Sequence, residues 1–222
     1  MARLPRVVVP GYPHQVTQSG NRRQKTFFRS EDYETYLALM SEWCRKCGVQ
    51  VWAYCLLPNH VHLIAVPATE EALRRAVGEA HRRCTVAVNL REGWRGHLWQ
   101  GRFASFVMDE PHLLIAARYV ELNPVRAGLA WRPEDYPWSS ARAHLQGADD
   151  DLATVQPLLD LEPDWESFLY LGLTEGEAAV LRQHERTGRP AGSSAFVAEL
   201  EDLTGRVLQR QKPGPKRAGA GS

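Results

Sequence analysis

The chain has 222 residues, of which 44% are hydrophobic and 24% are charged, a composition typical of a globular protein with a sizeable core. No run approaches the ~18 apolar residues of a membrane-spanning helix, and the N-terminal apolar stretch is too short for a signal peptide. These features argue against a membrane partner and favour a cytoplasmic location. The four cysteines include one Cys-x-x-Cys, Cys44 and Cys47, without a second pair at zinc-ribbon spacing, which favours free structural thiols over a redox or zinc site.

The net charge of +1 conceals an uneven distribution along the chain. Residues 1–147 carry 19 Lys and Arg against 13 Asp and Glu, residues 148–205 carry 3 against 13, and residues 206–222 carry 5 against none. A basic first part suits a polyanionic partner such as nucleic acid. The acidic segment could fold over the basic face and limit activity, or could be a helical cap packed away from it. The basic tail is predicted to be disordered, serving either as a DNA-grazing arm or as a solubilising segment.

The predicted elements follow the order β-α-β-β-α-β-α. They are a strand over 14–18, a helix capped by Ser30 and ended by Gly48, strands over 50–57 and 60–66, a helix over 70–90 capped by Thr69, a strand over 102–108 and a helix from Asp109 to Leu122. The first six predict an α+β, ferredoxin-like split βαβ sandwich, whose antiparallel sheet carries two helices on one face. We expect the third helix on the other face, which is left for ligands.

The second part of the chain is predicted to be helical. A short helix should end near Leu145, and two or three amphipathic helices should occupy 163–204, with a break at Gly188-Arg189-Pro190. The Gly- and Asp-rich stretch 147–151 is the best candidate boundary. We therefore divide the chain into a domain over 1–147, an acidic helical extension over 148–205 and a basic tail over 206–222.

The stretch Pro58-Asn59-His60-Val61-His62 holds two histidines at the start of an apolar strand. Side chains at i and i+2 share a face of a strand, so His60 and His62 should stand side by side, with Val61 facing the other way. Paired imidazoles on a rigid strand make half of a divalent metal site. A pair of surface or hydrogen-bonded histidines is the alternative, and a third ligand and a reacting group are needed before the pair implies chemistry.

A second stretch supplies both missing parts. Tyr119 and Asn123 lie four residues apart and share a helix face, and Asn123 precedes Pro124, where the helix should end. The Asn123 amide oxygen could complete the metal site, with Tyr119 beside it. A divalent ion that polarises a phosphodiester would allow the phenol, with its ordinary pKa near ~10, to attack and form a phosphotyrosine. The alternatives are a core-edge aromatic for Tyr119 and a helix stop for Asn123.

Four motifs in register resemble one protein family over roughly residues 3–145. They are Gly20-Asn21-Arg22-Arg23-Gln24, Leu57-Pro58-Asn59-His60-Val61-His62, Leu98-Trp99-Gln100-Gly101-Arg102-Phe103 and Tyr119-Val120-Glu121-Leu122-Asn123-Pro124-Val125-Arg126-Ala127-Gly128. The sequence resembles the HUH single-tyrosine transposases, and most closely the REP-associated tyrosine transposases of bacteria. The segment 188–194, Gly-Arg-Pro-Ala-Gly-Ser-Ser, resembles the C-terminal extension of that subgroup.

The resemblance implies a ferredoxin-like fold and a divalent metal, Mg²⁺ or Mn²⁺. It implies that His60 and His62 are metal ligands, that Asn123 occupies the third-ligand position, which is glutamine in some relatives, and that Tyr119 is the nucleophile. The family cleaves and rejoins single-stranded DNA beside small hairpins, and this subgroup is taken to act on repetitive extragenic palindromes (REP), so nucleoid association is expected. The longer REP-associated type is expected to work as a monomer, whereas shorter relatives form homodimers.

Five side chains are candidate DNA contacts. Arginine can bind phosphate or guanine in a bidentate way, and tryptophan can stack on an unpaired base. The candidates are Arg22, Arg23, Trp99, Arg102 and Arg126. Their alternatives are structural, since Trp99 could be core and Arg102 could pair with an acid. The favoured function is single-strand DNA cleavage and rejoining through a 5′-phosphotyrosine; a DNA-binding regulator with the same fold, or a metal-dependent phosphodiesterase that uses water, are the other readings.

Overall fold

The computed structural model describes residues 6–209. Its strands and helices, in chain order, are β1 (His14–Ser19), α1 (Ser30–Cys47), β2 (Val49–Leu57), β3 (His60–Pro67), α2 (Ala72–Glu92), β4 (Ala104–Val107), α3 (Glu110–Glu121), α4 (Asn123–Arg126), α5 (Ala141–Gln146), α6 (Gln156–Leu159), α7 (Trp165–Tyr170), α8 (Glu175–Thr187) and α9 (Ser194–Thr204). The predicted order of the first seven elements is confirmed. Within the described range, no helix has the length and apolarity needed to cross a membrane.

The four strands form one sheet in the order β2-β3-β1-β4, and every neighbouring pair is antiparallel. This is the arrangement of a ferredoxin-like split βαβ sandwich, as predicted. Strands β2 and β3 are joined by the two-residue turn Pro58-Asn59, which sets the pairing of Leu57 with His60. On the other side of β3, the register places Thr17 of β1 opposite His62.

A hydrophobic core covers each face of the sheet. The core under α1 and α2 includes sheet residues that alternate with those of the other face, namely Val16, Val61 and Leu63. The core under α3 includes Ala53, Cys55, Ile64 and Phe106 of the sheet. The third helix therefore lies on the face opposite the first two, as expected, and it packs where the two histidines point.

Two predicted helix starts are shifted. Ser30 is the first residue of α1 and Arg29 is its cap, because the Asp32 carboxylate accepts hydrogen bonds from the backbone N–H groups of Phe28 (2.8 Å) and Arg29 (3.3 Å). Helix α2 begins at Ala72, not at 70, and Thr69 contributes its backbone carbonyl to the preceding turn and no side-chain cap. The predicted end of α1 is confirmed, since Gly48 adopts the left-handed conformation, with φ 68°.

The chain stays nearly helical at Pro124, where the sequence predicted that the helix would end. Helix α3 ends at Glu121, Leu122 keeps near-helical angles (φ −83°, ψ −3°), and α4 starts at once with Pro124 in its first turn. Proline is tolerated there because the first-turn N–H has no helical partner. Tyr119 and Asn123 thus lie on one interrupted helical path.

The acidic extension packs against the sheet. Thr154 donates to the Val51 carbonyl (2.8 Å) at the edge of β2, and Leu158, Trp165 and Leu181 are buried in the core under α3. Helix α8 lies against β4 and α3. Of the predicted disordered tail, 210–222 fall outside the described residues, whereas 206–209 fold back on α9, where Leu208 is buried and its N–H donates to Glu201 (2.6 Å).

The cysteines are free thiols, as predicted. Cys44, Cys55 and Cys84 are buried, and burial raises the pKa of Cys44 to about 12. A thiol with so high a pKa is unreactive at neutral pH, so Cys44 acts as a small apolar core residue.

Candidate functional site

The two histidines lie side by side at the start of β3, on the sheet face that α3 covers. The His60 and His62 ring centroids are 5.0 Å apart with the planes at 83°. Val61 and Leu63, between and after them, are fully buried in the opposite core. The period-2 prediction of their geometry is confirmed.

Hydrogen bonds fix which nitrogen of His60 carries the proton. The Asn59 amide nitrogen donates to the Arg23 carbonyl (3.2 Å), which turns its oxygen toward His60 Nδ1 at 2.6 Å. Nδ1–H therefore donates, and Nε2 keeps its lone pair. Burial, followed by the charge of Arg23, lowers the pKa of His60 to about 4, so the imidazole is neutral at neutral pH.

His62 is also a buried, neutral imidazole, and Thr17 is the residue that contacts its Nδ1. Its Nδ1 lies 3.2 Å from the Thr17 hydroxyl, which donates to Glu185 at 2.8 Å. Its Nε2 is fully buried and has no hydrogen-bond partner among residues 6–209. Burial, with a smaller contribution from His60, lowers the pKa of His62 well below its ordinary value. A neutral, buried imidazole nitrogen without a partner is what a metal ligand requires.

The third-ligand candidate also carries an unpartnered polar group. The Asn123 amide nitrogen is buried without a hydrogen-bond partner among the described residues. A half-turn of the amide about its last side-chain bond would place its oxygen at the same point. Residues 6–209 hold no group of three His, Cys, Asp or Glu side chains arranged for a metal, so a third protein ligand would be of another type. Imidazole nitrogens and amide oxygens are both donor types that bind divalent cations.

Tyr119 projects from α3 onto His62. The two ring centroids are 5.4 Å apart, edge to face, and Tyr119 is 8% exposed. Burial raises the pKa of the phenol and the Glu185 carboxylate raises it further, whereas Arg126 and Arg182 act in the opposite direction. The Arg126 guanidinium carbon lies 5.4 Å from the centre of the Tyr119 ring. The phenol is therefore neutral at rest, with two cations close enough to favour its ionised form.

Those two arginines share one carboxylate at the start of α8. Glu175 accepts from Arg126 at 3.1 Å and from Arg182 at 2.7 Å, one arginine on each oxygen. Arg126 was predicted from the sequence, whereas Arg182 and Glu185 were not. Arg182 and Glu185 belong to helix α8, whose amphipathic sequence pattern predicted a buried face. The pattern did not indicate which residues that face would contact.

The basic turn at Arg22 and Arg23 borders His60. Both arginines are exposed, and both adopt left-handed backbone angles, with φ 54° and 58°, which are unusual away from glycine. Gly20 allows the turn to close, since a Cβ there would lie 2.2 Å from the Gln24 carbonyl oxygen. The Gly20 N–H donates to the Asn59 carbonyl (2.7 Å), which joins this turn to the one that carries the histidines.

The other two DNA candidates lie along a separate groove, between α2 and the loop before β4. Arg102 is exposed and lines it together with Arg74 and Arg82, and no Asp or Glu is among its lining residues in the described structure. Trp99 is 7% exposed, with its ring stacked on His81 at 4.4 Å between centroids. The ring is therefore covered by the core, and base stacking on it would require a rearrangement.

Comparison with known proteins identifies the family. The model of the IS200-like transposases matches residues 9–123, about half of the chain. A solved REP-associated tyrosine transposase bound to a REP hairpin is 21% identical, with a TM-score of 0.57, over 69% of this chain and 92% of that one. A Deinococcus radiodurans R1 protein described as a candidate transposase is 16% identical over 69% of this chain and all of that one, but its TM-score of 0.37 is too low to support a conclusion. No curated protein matches the sequence. The chain belongs to the IS200-like transposase family.

Proposed function

We propose that the protein cleaves and rejoins single-stranded DNA through a covalent bond between Tyr119 and a 5′-phosphate. The observation that carries this proposal is the edge of the Tyr119 ring on His62, whose buried Nε2 has no partner, with His60 alongside. A phenol, a pair of neutral imidazoles and two guanidinium groups thus lie near one another at the start of β3. Membership of a transposase family agrees with that chemistry.

The residues that would hold a divalent cation are His60 and His62 through Nε2 and Asn123 through its amide oxygen. When bound, Mg²⁺ or Mn²⁺ polarises the scissile phosphate and offsets the negative charge that develops in the transition state. The chain fixes both imidazoles as neutral, Nδ1-protonated rings, so no proton has to leave before they can bind.

Tyr119 then supplies the nucleophile. Its Oη attacks phosphorus, the new Oη–P bond forms as the P–O3′ bond breaks, the phenol proton passes to solvent and the leaving oxygen takes up a proton as a free 3′-hydroxyl. Arg126 and Arg182 favour the phenolate and can bind the non-bridging phosphate oxygens as they exchange from Glu175. Because the ester bond energy is conserved, attack by a 3′-hydroxyl reverses the step and joins strands.

The DNA is proposed to run from the reacting centre over the basic turn at Arg22 and Arg23, which adjoins His60. The solved REP-associated transposase is bound to a REP hairpin, so a hairpin flanked by a single strand is the substrate class proposed for this chain as well. The groove that carries Arg102 offers a surface for the duplex part of that substrate, although two of its arginines are paired with acids, Arg74 with Glu71 and Arg82 with Glu79. We propose that one copy of the chain suffices, since all the groups named come from it.

The test is covalent capture. The protein is incubated with Mn²⁺ and oligonucleotides that carry a hairpin and a single-stranded flank, labelled at the 5′ or the 3′ end, and the products are separated on a denaturing gel. We expect a protein–DNA band with the 3′-labelled strand only, and a released 5′-labelled fragment that ends in a 3′-hydroxyl. Tyr119→Phe should abolish both, and Tyr170→Phe, which changes an exposed tyrosine, should leave them intact.

The other readings give different gels. Cleavage that survives in Tyr119→Phe, with no covalent band, would show a water-dependent phosphodiesterase and refute the tyrosine mechanism. Hairpin binding without cleavage by the wild-type protein in Mn²⁺ or Mg²⁺ would favour a DNA-binding regulator.

A further inference from the structure

We propose that Glu185, which the acidic extension contributes, is a positioning residue of the histidine pair. Acting through Thr17, it holds His62 with Nδ1 protonated and Nε2 available to the metal, and this makes helix α8 a working part of the site. The inference rests on the proposed metal-binding role of His62.

The contacts of Glu185 fix its carboxylate on the sheet. The side chain is 17% exposed, and its Oε1 accepts from the Thr17 hydroxyl and from the Gln15 amide, each at 2.8 Å. Both donors lie on β1 and point to the same face, since they are two residues apart. Thr17 is directly opposite His62 in the β1–β3 pairing, so the carboxylate is held at one hydroxyl's distance from the imidazole.

The direction of the hydrogen bonds follows from the number of protons. A threonine hydroxyl has one proton, and Thr17 donates it to Glu185 Oε1, the oxygen that also accepts from the Gln15 amide. The Thr17 oxygen can then only accept from His62, at 3.2 Å, so the His62 proton belongs on Nδ1. If Thr17 donated to His62 Nδ1 instead, the His62 proton would lie on Nε2, which is buried without an acceptor among the described residues. Glu185 would then also lose its hydrogen bond from Thr17.

Helix α8 is anchored at both ends, which keeps Glu185 in place. Near its start, Glu177 accepts from Arg118 of α3 at 2.9 Å. Just beyond its end, Ala191 exchanges backbone hydrogen bonds with the end of β4, donating to the Val107 carbonyl (2.9 Å) and accepting from Asp109 (3.0 Å). The segment 188–194 therefore holds the end of α8 against β4, the edge strand of the sheet, through backbone hydrogen bonds.

Glu185 is placed to orient His62 and not to bind the metal itself. Its oxygen lies 3.6 Å from Nδ1, the nitrogen on the opposite side of the ring from the ligating position. A carboxylate that holds a ligating histidine from behind is a recurrent feature of metal sites, and its removal typically weakens metal binding by ~10–100-fold. Here one threonine hydroxyl stands between the two groups.

The experiment reads the tautomer of His62 by ¹⁵N-correlated NMR of the metal-free, full-length protein, with His62→Gln used to assign the signals. In the wild type, His62 should be a single Nδ1–H tautomer. Thr17→Val, which keeps the side-chain shape and removes the hydroxyl, and Glu185→Ala should populate the Nε2–H form. Glu185→Gln keeps an oxygen that can accept from Thr17 and should retain the wild-type tautomer. Gln183→Ala, an exposed change on the same helix, is the matched control.

Mn²⁺ affinity, measured by calorimetry on the same variants, gives a second readout. Thr17→Val and Glu185→Ala should bind Mn²⁺ ~10–100-fold more weakly, with Gln183→Ala and Tyr170→Phe unchanged. If folded Thr17→Val and Glu185→Ala keep both the His62 tautomer and the Mn²⁺ affinity of the wild type, the proposal is overturned. A protein whose Mn²⁺ binding depends on Glu185 but which forms no covalent DNA adduct supports the positioning role and refutes the proposed function instead.

Discussion

Substitution of Glu121 should be among the most destabilising single changes in the protein. This residue, two positions after Tyr119, is fully buried and accepts hydrogen bonds from Ser140 Oγ (2.6 Å) and Trp165 Nε1 (2.8 Å). His144 Nδ1 lies 2.7 Å from the same carboxylate and is also paired with the Ser140 carbonyl (3.3 Å). These three residues lie in α5, directly before it, and in α7. Glu121 therefore joins the end of the Tyr119 helix to the extension.

Glu121→Ala leaves the buried Trp165 indole N–H without its acceptor, while Ser140 Oγ and His144 Nδ1 keep only the longer contacts to the Tyr54 (3.4 Å) and Ser140 (3.3 Å) carbonyls. With ~1–3 kcal/mol for the unpaired donor and a further contribution from the space left behind, the free energy of unfolding should fall by ~3 kcal/mol. For a chain of this length, that corresponds to a fall in Tm of ~6–12 °C. Glu121→Gln keeps the volume and one accepting oxygen, so it should lose only ~1–2 kcal/mol.

Urea unfolding followed by far-UV circular dichroism measures these differences. The matched control is Glu110→Ala, an exposed change in the first turn of the same helix, which should cost less than ~1 kcal/mol. If Glu121→Ala is no more destabilising than Glu110→Ala, the buried network contributes no net stability, and the reasoning is refuted.

Two further predictions concern acid sensitivity and DNA affinity. Burial lowers the pKa of His14 to about 4 from its ordinary 6.5. The stability that the neutral, buried ring contributes is therefore complete above pH 6.5 and is lost as the pH falls toward 4, which amounts to ~2 kcal/mol between pH 7 and pH 5. Urea unfolding at a series of pH values should show a shallower pH dependence for His14→Gln. Arg182→Ala should lower hairpin affinity and reduce the slope of log K against log salt by about 1. Glu175→Gln, which removes the charge that pairs with Arg126 and Arg182, should raise the affinity at low salt. A fluorescence-anisotropy titration that shows neither change would contradict a phosphate-binding role for Arg126 and Arg182.

Local patterns predicted the parts of the site that depend on a single element. Strand alternation is enough to place His60 and His62 on one face, because a period of two leaves no other arrangement. Helical spacing is enough to place Tyr119 and Asn123 on one path. The basic turn was also visible, since Gly20 and the arginines that follow it are adjacent in the chain.

Tertiary contacts explain what the sequence did not predict. Glu185 and Arg182 reach the site from a helix more than a hundred residues after the histidines, and no local pattern states which face of the sheet that helix covers. Trp99 was a candidate because tryptophan can stack on an unpaired base, and the alternative that it belongs to the core agrees with its position against the His81 ring. Glu121 reads as one polar residue in an apolar helix, and its role depends on a tryptophan in α7.

The position of the extension changes how its acidic charge should be tested. Deleting residues 148–222 would remove Trp165 from Glu121, Glu185 from Thr17, and Leu158 and Leu181 from a core in which both are fully buried. Each buried leucine alone contributes ~1.5–3 kcal/mol, so a truncated chain would lose the order of the site together with the charge. A gain or loss of DNA affinity in such a chain could not be assigned to electrostatics. Neutralising Glu175, which is 78% exposed, keeps the packing and removes a carboxylate that contacts both Arg126 and Arg182. If the extension limits DNA binding through its charge, Glu175→Gln alone should raise the DNA affinity at low salt.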